Sequence, residues 1–178
     1  MATPHTALER ARNIRLAIFD VDGVLTDGGL WFGPQGEVIK HFNSLDGHGM
    51  KLLGEAGIVT AIITGRRSEI VAARAAEMRV THVYQGISQK LVTFKQLLDV
   101  ARCDPAAVAY MGDDWPDLAV MGAVGFAAAP ANAHVEVRRR AHWVAQAAGG
   151  HGAVRELCDL LLQAGGHYDA MLAHATRG

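Results

Sequence analysis

Only two cysteines occur in this sequence, Cys103 and Cys158, far apart and without ligand spacing. That excludes a disulfide scaffold and a cysteine-built metal centre, and reads both thiols as reduced packing residues. Neither sign of charge prevails, the formal net charge being −1. Without a basic excess there is no electrostatic case for nucleic acid or an anionic membrane surface, and neither is expected as a partner. No apolar run approaches a membrane span; the longest, 119–131, is rich in Ala and Gly and contains Pro130. The opening residues, MATPHTALERARNIR, lack the apolar core of a secretory signal, so the expected location is cytoplasmic. The nine histidines form no HExxH or comparable pattern and read as surface or packing residues. Internal repeats, low-complexity blocks and long linkers are absent as well.

What is present is a rhythm. The 178 residues, 50% hydrophobic, suffice for one domain with a sizeable core. LAIF (16–19), IVTAIIT (58–64), THVYQG (81–86), AVAYMG (107–112) and GFAAA (125–129) read as five strands, most of them apolar throughout. Between them lie helical patterns. LDGHGMKLLGEA opens with Asp46 as a capping acid and stops at Gly57; 68–78 is amphipathic with Ser68 as N-cap; 88–101, PDLAVMGAV and HGAVRELCDLLLQA follow. Alternating strands and helices imply an α/β, Rossmann-like, doubly wound parallel sheet. In such sheets ligands bind beyond the carboxyl ends of the strands. Asp20 and Asp22 follow the first strand, Thr64, Gly65 and Arg66 the second, and Asp113, Asp114 and Asp117 the fourth, with Lys90 just past YQGISQ.

Carboxylates gathered in one crevice repel each other and lose solvation. A hard divalent cation resolves this, and Mg²⁺ takes one or two carboxylates together with a substrate phosphate. With Asp113 and one Asp20 oxygen neutralised, Asp20 can attack phosphorus as a covalent nucleophile. Asp22 in the same mouth can protonate the leaving alcohol and then deprotonate water. Thr64 offers a hydroxyl and a backbone N–H to a phosphate oxygen, and Lys90 a positive charge. Taken singly, each piece is bland. DVDG is a plausible Asx-rich turn, TGR a glycine turn, Lys90 a surface charge, and GDDWPD an acidic helix start. Their joint placement at strand ends favours the chemical reading.

DVDGVLTDG, ITGR, Lys90 and GDDWPD resemble the four motifs of the haloacid dehalogenase-like phosphatases. FDVDGVLTDG, the following FN and DGHGMKLL, ITGRRS, YQGISQK and GGHGAVRELCDLLL are similar, more narrowly, to the 3-deoxy-D-manno-octulosonate 8-phosphate (Kdo-8-phosphate) phosphatases, over nearly all of 15–165. The resemblance implies that Asp20 is the nucleophile, Asp22 the acid and base, and Asp113 a magnesium ligand, with Asp22 contributing its backbone carbonyl to the metal. It implies release of Kdo for lipopolysaccharide synthesis. Trp115 stands where that family leads one to expect a smaller aliphatic residue, and the tail 166–178 is longer than expected. Two rivals stay open: a phosphatase for a nine-carbon ulosonate 9-phosphate, and a non-catalytic assembly domain of the same fold. Arg66 leans toward the eight-carbon acid by offering a cation to an anionic sugar.

The stretches between Asp22 and Thr64 and between Thr64 and Lys90 are too short for a cap with its own core, since domains rarely fall below about 50 residues. What fits is a hairpin insertion at about 29–42: GLWFG, the turn PQG, then EVIKHF. Apolar on both faces, it needs a partner. The resemblance implies a homotetramer whose subunits complete each other's sites, and 149–152 or the residues after 165 are candidates to reach a neighbour's mouth.

Overall fold

Leu16, Ala17, Ile18 and Phe19 offer no polar face, and as strand β1 (Leu16–Phe19) they are buried on both sides. Only the middle of a covered parallel sheet provides that setting. The computed structural model describes residues 4–177, and among them β1 lies inside a sheet of six strands. β4 (Val59–Ile63) and β6 (Val108–Met111) flank it, β5 (His82–Tyr84) lies outside β4, and β7 (Phe126–Ala129) and β8 (Trp143–Val144) lie outside β6. Every pairing is parallel.

The two-residue period of the strands sorts the core into layers. Ala17, Phe19, Ile62, Ala109, Met111 and Phe126 face one side with Met50, Leu53, Val71 and Leu157. That side is covered by α1 (Pro4–Ala11), α2 (Ser44–Glu55), α3 (Glu69–Glu77) and α7 (Ala153–Ala164). Leu16, Ile18, Ile63, Val108 and Tyr110 face the other with Phe94, Leu97, Val120 and Val137, under α4 (Lys90–Ala101), α5 (Leu118–Met121) and α6 (Val135–Arg140). The chain therefore builds outward from β1 to β5 and then crosses to β6, which places the topological switch point between β1 and β6.

The five expected strands and their flanking helices are present; a sixth strand and three helices are additions. β8 is two residues long and too short for any period to register. α6 carries three consecutive arginines, Arg138 to Arg140, which mask its one buried residue, Val137. α8 (Tyr168–Ala175) accounts for much of the long tail, with Tyr168 and Met171 packed against the core. The caps also differ. Asn43, not Asp46, caps α2 through the Leu45 N–H, while buried Asp46 reaches across to accept from Arg155 N in the first turn of α7 at 2.8 Å. Ser68 sits at the start of α3, but its hydroxyl donates to Glu37 instead of the helix.

The insertion is the expected hairpin, β2 (Trp31–Gly33) paired antiparallel with β3 (Gly36–Ile39) as a separate small sheet. Leu30, Trp31, Phe32, Val38 and Ile39 are all exposed. Residues 149–150, in contrast, pack against the turn after β1. Gly150 N donates to Val24 O at 2.9 Å, and a Cβ on Gly149 would overlap the Gly23 carbonyl. These two glycines buttress the turn after β1.

Candidate active site

The turn that leaves β1 is shaped by two contacts. Gly23 has φ +88°, and a Cβ there would overlap the Asp113 carboxylate, so only glycine lets the turn close on the residues after β6. Asp20 N donates to Met111 O at 3.1 Å, which continues the β1–β6 ladder one step and sets Asp20 beside Asp113 at the switch point.

Asp20, Asp22, Thr64, Gly65, Arg66, Lys90 and Asp113, every residue expected from the sequence, line one cleft of about 510 Å³ together with Asp114 and Asp117. A larger cleft of about 620 Å³ at the β8 edge, between Leu8, Arg138, His142 and Trp143, gathers no carboxylates and lies apart from the strand ends.

Within the cleft, Lys90 Nζ lies 2.7 Å from Asp20 Oδ2 and 2.7 Å from Asp117 Oδ1. Asp117 is the organiser: Oδ1 also accepts from Tyr110 Oη at 2.6 Å, and Oδ2 accepts from the amides of Asp113 and Asp114 at 3.0 and 3.2 Å. With both oxygens so occupied, Asp117 holds Lys90 and the Asp113 loop in place. Asp20 Oδ1, by contrast, is buried without a hydrogen-bond partner. Burial, reinforced by Asp117 and opposed by Lys90, raises the Asp20 carboxyl from an ordinary 3.8 to about 6. Burial and the nearby Asp20, Asp117 and Asp114 raise Asp113 to about 7. Burial works against the Lys90 charge, but Asp20 and Asp117 outweigh it and hold its pKa above the ordinary value.

These are the marks of a cation site: an orphaned buried oxygen, and carboxyls whose ionised forms burial and each other's charge disfavour. Ligand oxygens of Asp20, Asp113 and Asp117 lie within 4.8 Å of one another. Among the described residues the Asp22 backbone carbonyl accepts no hydrogen bond, so it too is available to a cation.

One expectation needs adjustment. Thr64 N donates to Tyr84 O at 2.9 Å, because β4 and β5 remain paired to that point. The Thr64 amide is therefore spent in the sheet, and the next one, Gly65 N–H, is the amide without a protein acceptor among the described residues. Asp22 stands in the same cleft as expected, and its carboxylate pairs with Lys40 and Arg66. Sequence reasoning passed over Lys40, which looks like an ordinary exposed charge at the end of the hairpin. Trp115 is exposed, its indole N–H donating to His134 Nδ1 at 3.1 Å, so its bulk lies along the rim and leaves the Asp113 carboxylate undisturbed.

Residues 61–157 match the family model of the haloacid dehalogenase-like hydrolases. A 3-deoxy-D-manno-octulosonate 8-phosphate phosphatase from Yersinia pestis is 50% identical over 157 residues, which is 88% of this chain and 84% of that relative. The chain belongs to the haloacid dehalogenase-like hydrolases. The phosphatase of the same name from Escherichia coli K12 is 49% identical to this hydrolase over 162 residues, 91% of this chain and 86% of the relative. Among solved structures, the Moraxella catarrhalis phosphatase in complex with magnesium ion, phosphate ion and a Kdo molecule matches the hydrolase with a TM-score of 0.91 at 37% identity, over 94% of this chain and 96% of that one.

Proposed function

We propose that this hydrolase is a Mg²⁺-dependent phosphatase that converts 3-deoxy-D-manno-octulosonate 8-phosphate to Kdo and phosphate through an aspartyl-phosphate on Asp20, in the cytoplasm, for lipopolysaccharide synthesis. The substrate follows from relatives of that name at about half identity over some nine-tenths of the chain. The chemistry rests on one observation, the buried Asp20 Oδ1 left free beside Lys90 and Asp113.

Asp20, Asp113 and the Asp22 carbonyl would hold Mg²⁺, which supplies charge neutralisation to the phosphate and its ligands. Lys90 holds the Asp20 carboxylate in place, and the oxygen that does not take the metal attacks phosphorus. Asp22 gives a proton to the departing sugar oxygen and takes one back from the water that hydrolyses the aspartyl-phosphate. Gly65 N–H and the Thr64 hydroxyl receive phosphate oxygens, and Arg66 meets the sugar carboxylate. Phosphate release from Kdo-8-phosphate with Mg²⁺, abolished by EDTA and restored by added Mg²⁺, tests this assignment; release undiminished in EDTA would contradict it.

The cation reading has a consequence for stability. Asp20 and Asp113 keep protons in the cation-free fold up to about pH 6 and 7, whereas the unfolded chain has lost them by about pH 4. The fold therefore binds more protons than the unfolded chain across that window, and its stability falls as pH rises through it. The melting temperature in EDTA should drop by several degrees from pH 5 to pH 8, and Mg²⁺ should restore it far more at pH 8 than at pH 5. A pH-independent melting temperature in EDTA would count against two proton-holding carboxyls.

The hairpin supports assembly as a homotetramer in which neighbours close each other's clefts. Trp31 and Ile39 are opposed across β2 and β3 and both exposed. At about 25 cal/mol per Å², covering two such side chains contributes several kcal/mol per subunit. Trp31→Ser with Ile39→Ser, which leaves the Phe32 contact with Arg66 in place, should shift sedimentation to smaller species. It should also lower activity on the sugar phosphate more than on a small aryl phosphate. Sedimentation of the wild-type chain as a monomer with full sugar-phosphate activity would exclude the assembly.

A further inference from the structure

Lys40 lies between β3 and α2 with 1% of its side chain exposed. Removing an ammonium from water costs several kcal/mol unless it is well paired, so its partners explain its place. Nζ donates to Asp22 Oδ1 and lies 2.9 Å from Glu37 Oε1. Glu37, on β3, accepts from Ser68 Oγ at 2.6 Å and lies 3.5 Å from Arg66 Nη2. Arg66 stands over the Phe32 ring, 5.3 Å from its centroid. The base of the hairpin is thus tied by charge to Asp22 and Arg66 and by a hydrogen bond to Ser68.

This wiring leaves the two Asp22 oxygens unequal. Oδ1 is anchored by the ammonium. Oδ2 has only Arg66 Nε at 3.5 Å and accepts no protein hydrogen bond among the described residues, in a side chain that lines the cleft. An acid–base group oriented by a third residue is the usual design where proton transfer must be aimed.

We propose that Lys40 is a positioning residue for the proton transfer of Asp22, holding Oδ1 so that Oδ2 meets the leaving oxygen and, through Glu37, tying that aim to the hairpin. The proposal rests on the reading of Asp22 as acid and base. As the ester P–O bond breaks, the leaving oxygen takes the proton of Asp22 Oδ2, and the carboxylate so formed sits against the Lys40 ammonium. When water attacks the aspartyl-phosphate, its proton goes to Oδ2 as the bond from phosphorus to Asp20 breaks, and both side chains return to their starting states.

The test is kcat/KM, which reports steps up to leaving-group departure, on phenyl phosphate and p-nitrophenyl phosphate. The phenyl ester has the more basic leaving group and needs the proton more. Asp22→Asn should lose more on phenyl phosphate than on the nitrophenyl ester. Lys40→Met should follow it, with a loss about tenfold or more greater on phenyl phosphate, while Lys40→Arg recovers most of the difference. In the double variant, Lys40→Met should add no further selectivity to Asp22→Asn, since both act on one step. Glu37→Gln should shift the ratio in the same direction by less, and serves if Lys40→Met melts prematurely. Equal loss on both esters, or selectivity that adds fully in the double variant, gives Lys40 a merely structural role and overturns the proposal. Should Asp22→Asn itself leave the ratio unchanged, the role of Asp22 falls and the proposal with it, a result distinct from failure of Lys40 alone.

Discussion

Asp20→Asn should reduce phosphate release by about 10⁴-fold or more, the scale seen when a covalent nucleophile is removed, while the fold survives. The amide keeps the shape of the carboxylate but cannot accept the phosphoryl group. Acid quenching of wild-type enzyme mixed with radiolabelled substrate should leave label on the protein, and the variant should carry none. Because burial and Asp117 oppose ionisation of Asp20, the neutral amide should also hold the melting temperature in EDTA at pH 8 at or above that of the wild type. A variant that keeps a sizeable fraction of activity would remove the covalent mechanism.

Lys90→Met should be the most damaging single change to stability in the cleft. Lys90 is the shared partner of Asp20 and Asp117, and breaking a buried ion pair from one side strands the remaining charges at a cost of about 3–5 kcal/mol. For a chain of this size that is roughly a 10 °C fall in melting temperature. Turnover should fail with it, since Asp20 Oδ2 loses its anchor. The deficit should shrink at pH 5, where the stranded carboxyls take up protons, and adding Asp20→Asn should recover part of it. A Lys90→Met protein as stable as the wild type at pH 8 would show that the ion pairs are dispensable.

The parts of this molecule legible in its sequence are those set by local pattern. LAIF, VTAII and VAYM had to be central strands because they are apolar with at most one hydroxyl each, and residues directly after such strands had to gather at one sheet end. Asp20, Thr64 and Asp113 were found in that way, and Lys90 by its place just past YQGISQ. Hidden were the features set by long-range contact. Asp46 looks like the cap of its own helix, yet it caps α7, more than a hundred residues on. The Thr64 amide looks free until β5 is seen to pair with it. Lys40 and Glu37 read as ordinary exposed charges on a hairpin, and only the fold brings them to Asp22 and Arg66. Gly149 and Gly150 read as part of a segment that could reach a neighbour's mouth; in place they are the only residue type that fits against the turn of Gly23 to Asp27. β8 and α6 escaped notice because neither carries a period long enough to stand out.

The hairpin stands between the two cases. Its strands and turn were evident from GLWFG and EVIKHF, and so was its apolar character on both faces. That the same hairpin carries the charges that reach Asp22 and Arg66 was not, since nothing in a charge pattern of two strands says which of its ends will be buried.

The most direct test of the account is phosphate release measured across a panel of sugar phosphates in Mg²⁺: Kdo-8-phosphate, a nine-carbon ulosonate 9-phosphate, and neutral hexose phosphates. The account predicts kcat/KM for Kdo-8-phosphate well above that for every other member, and no release from any of them in EDTA. Equal or better turnover of the nine-carbon acid would contradict the substrate, and no release from any member in Mg²⁺ would contradict the enzyme.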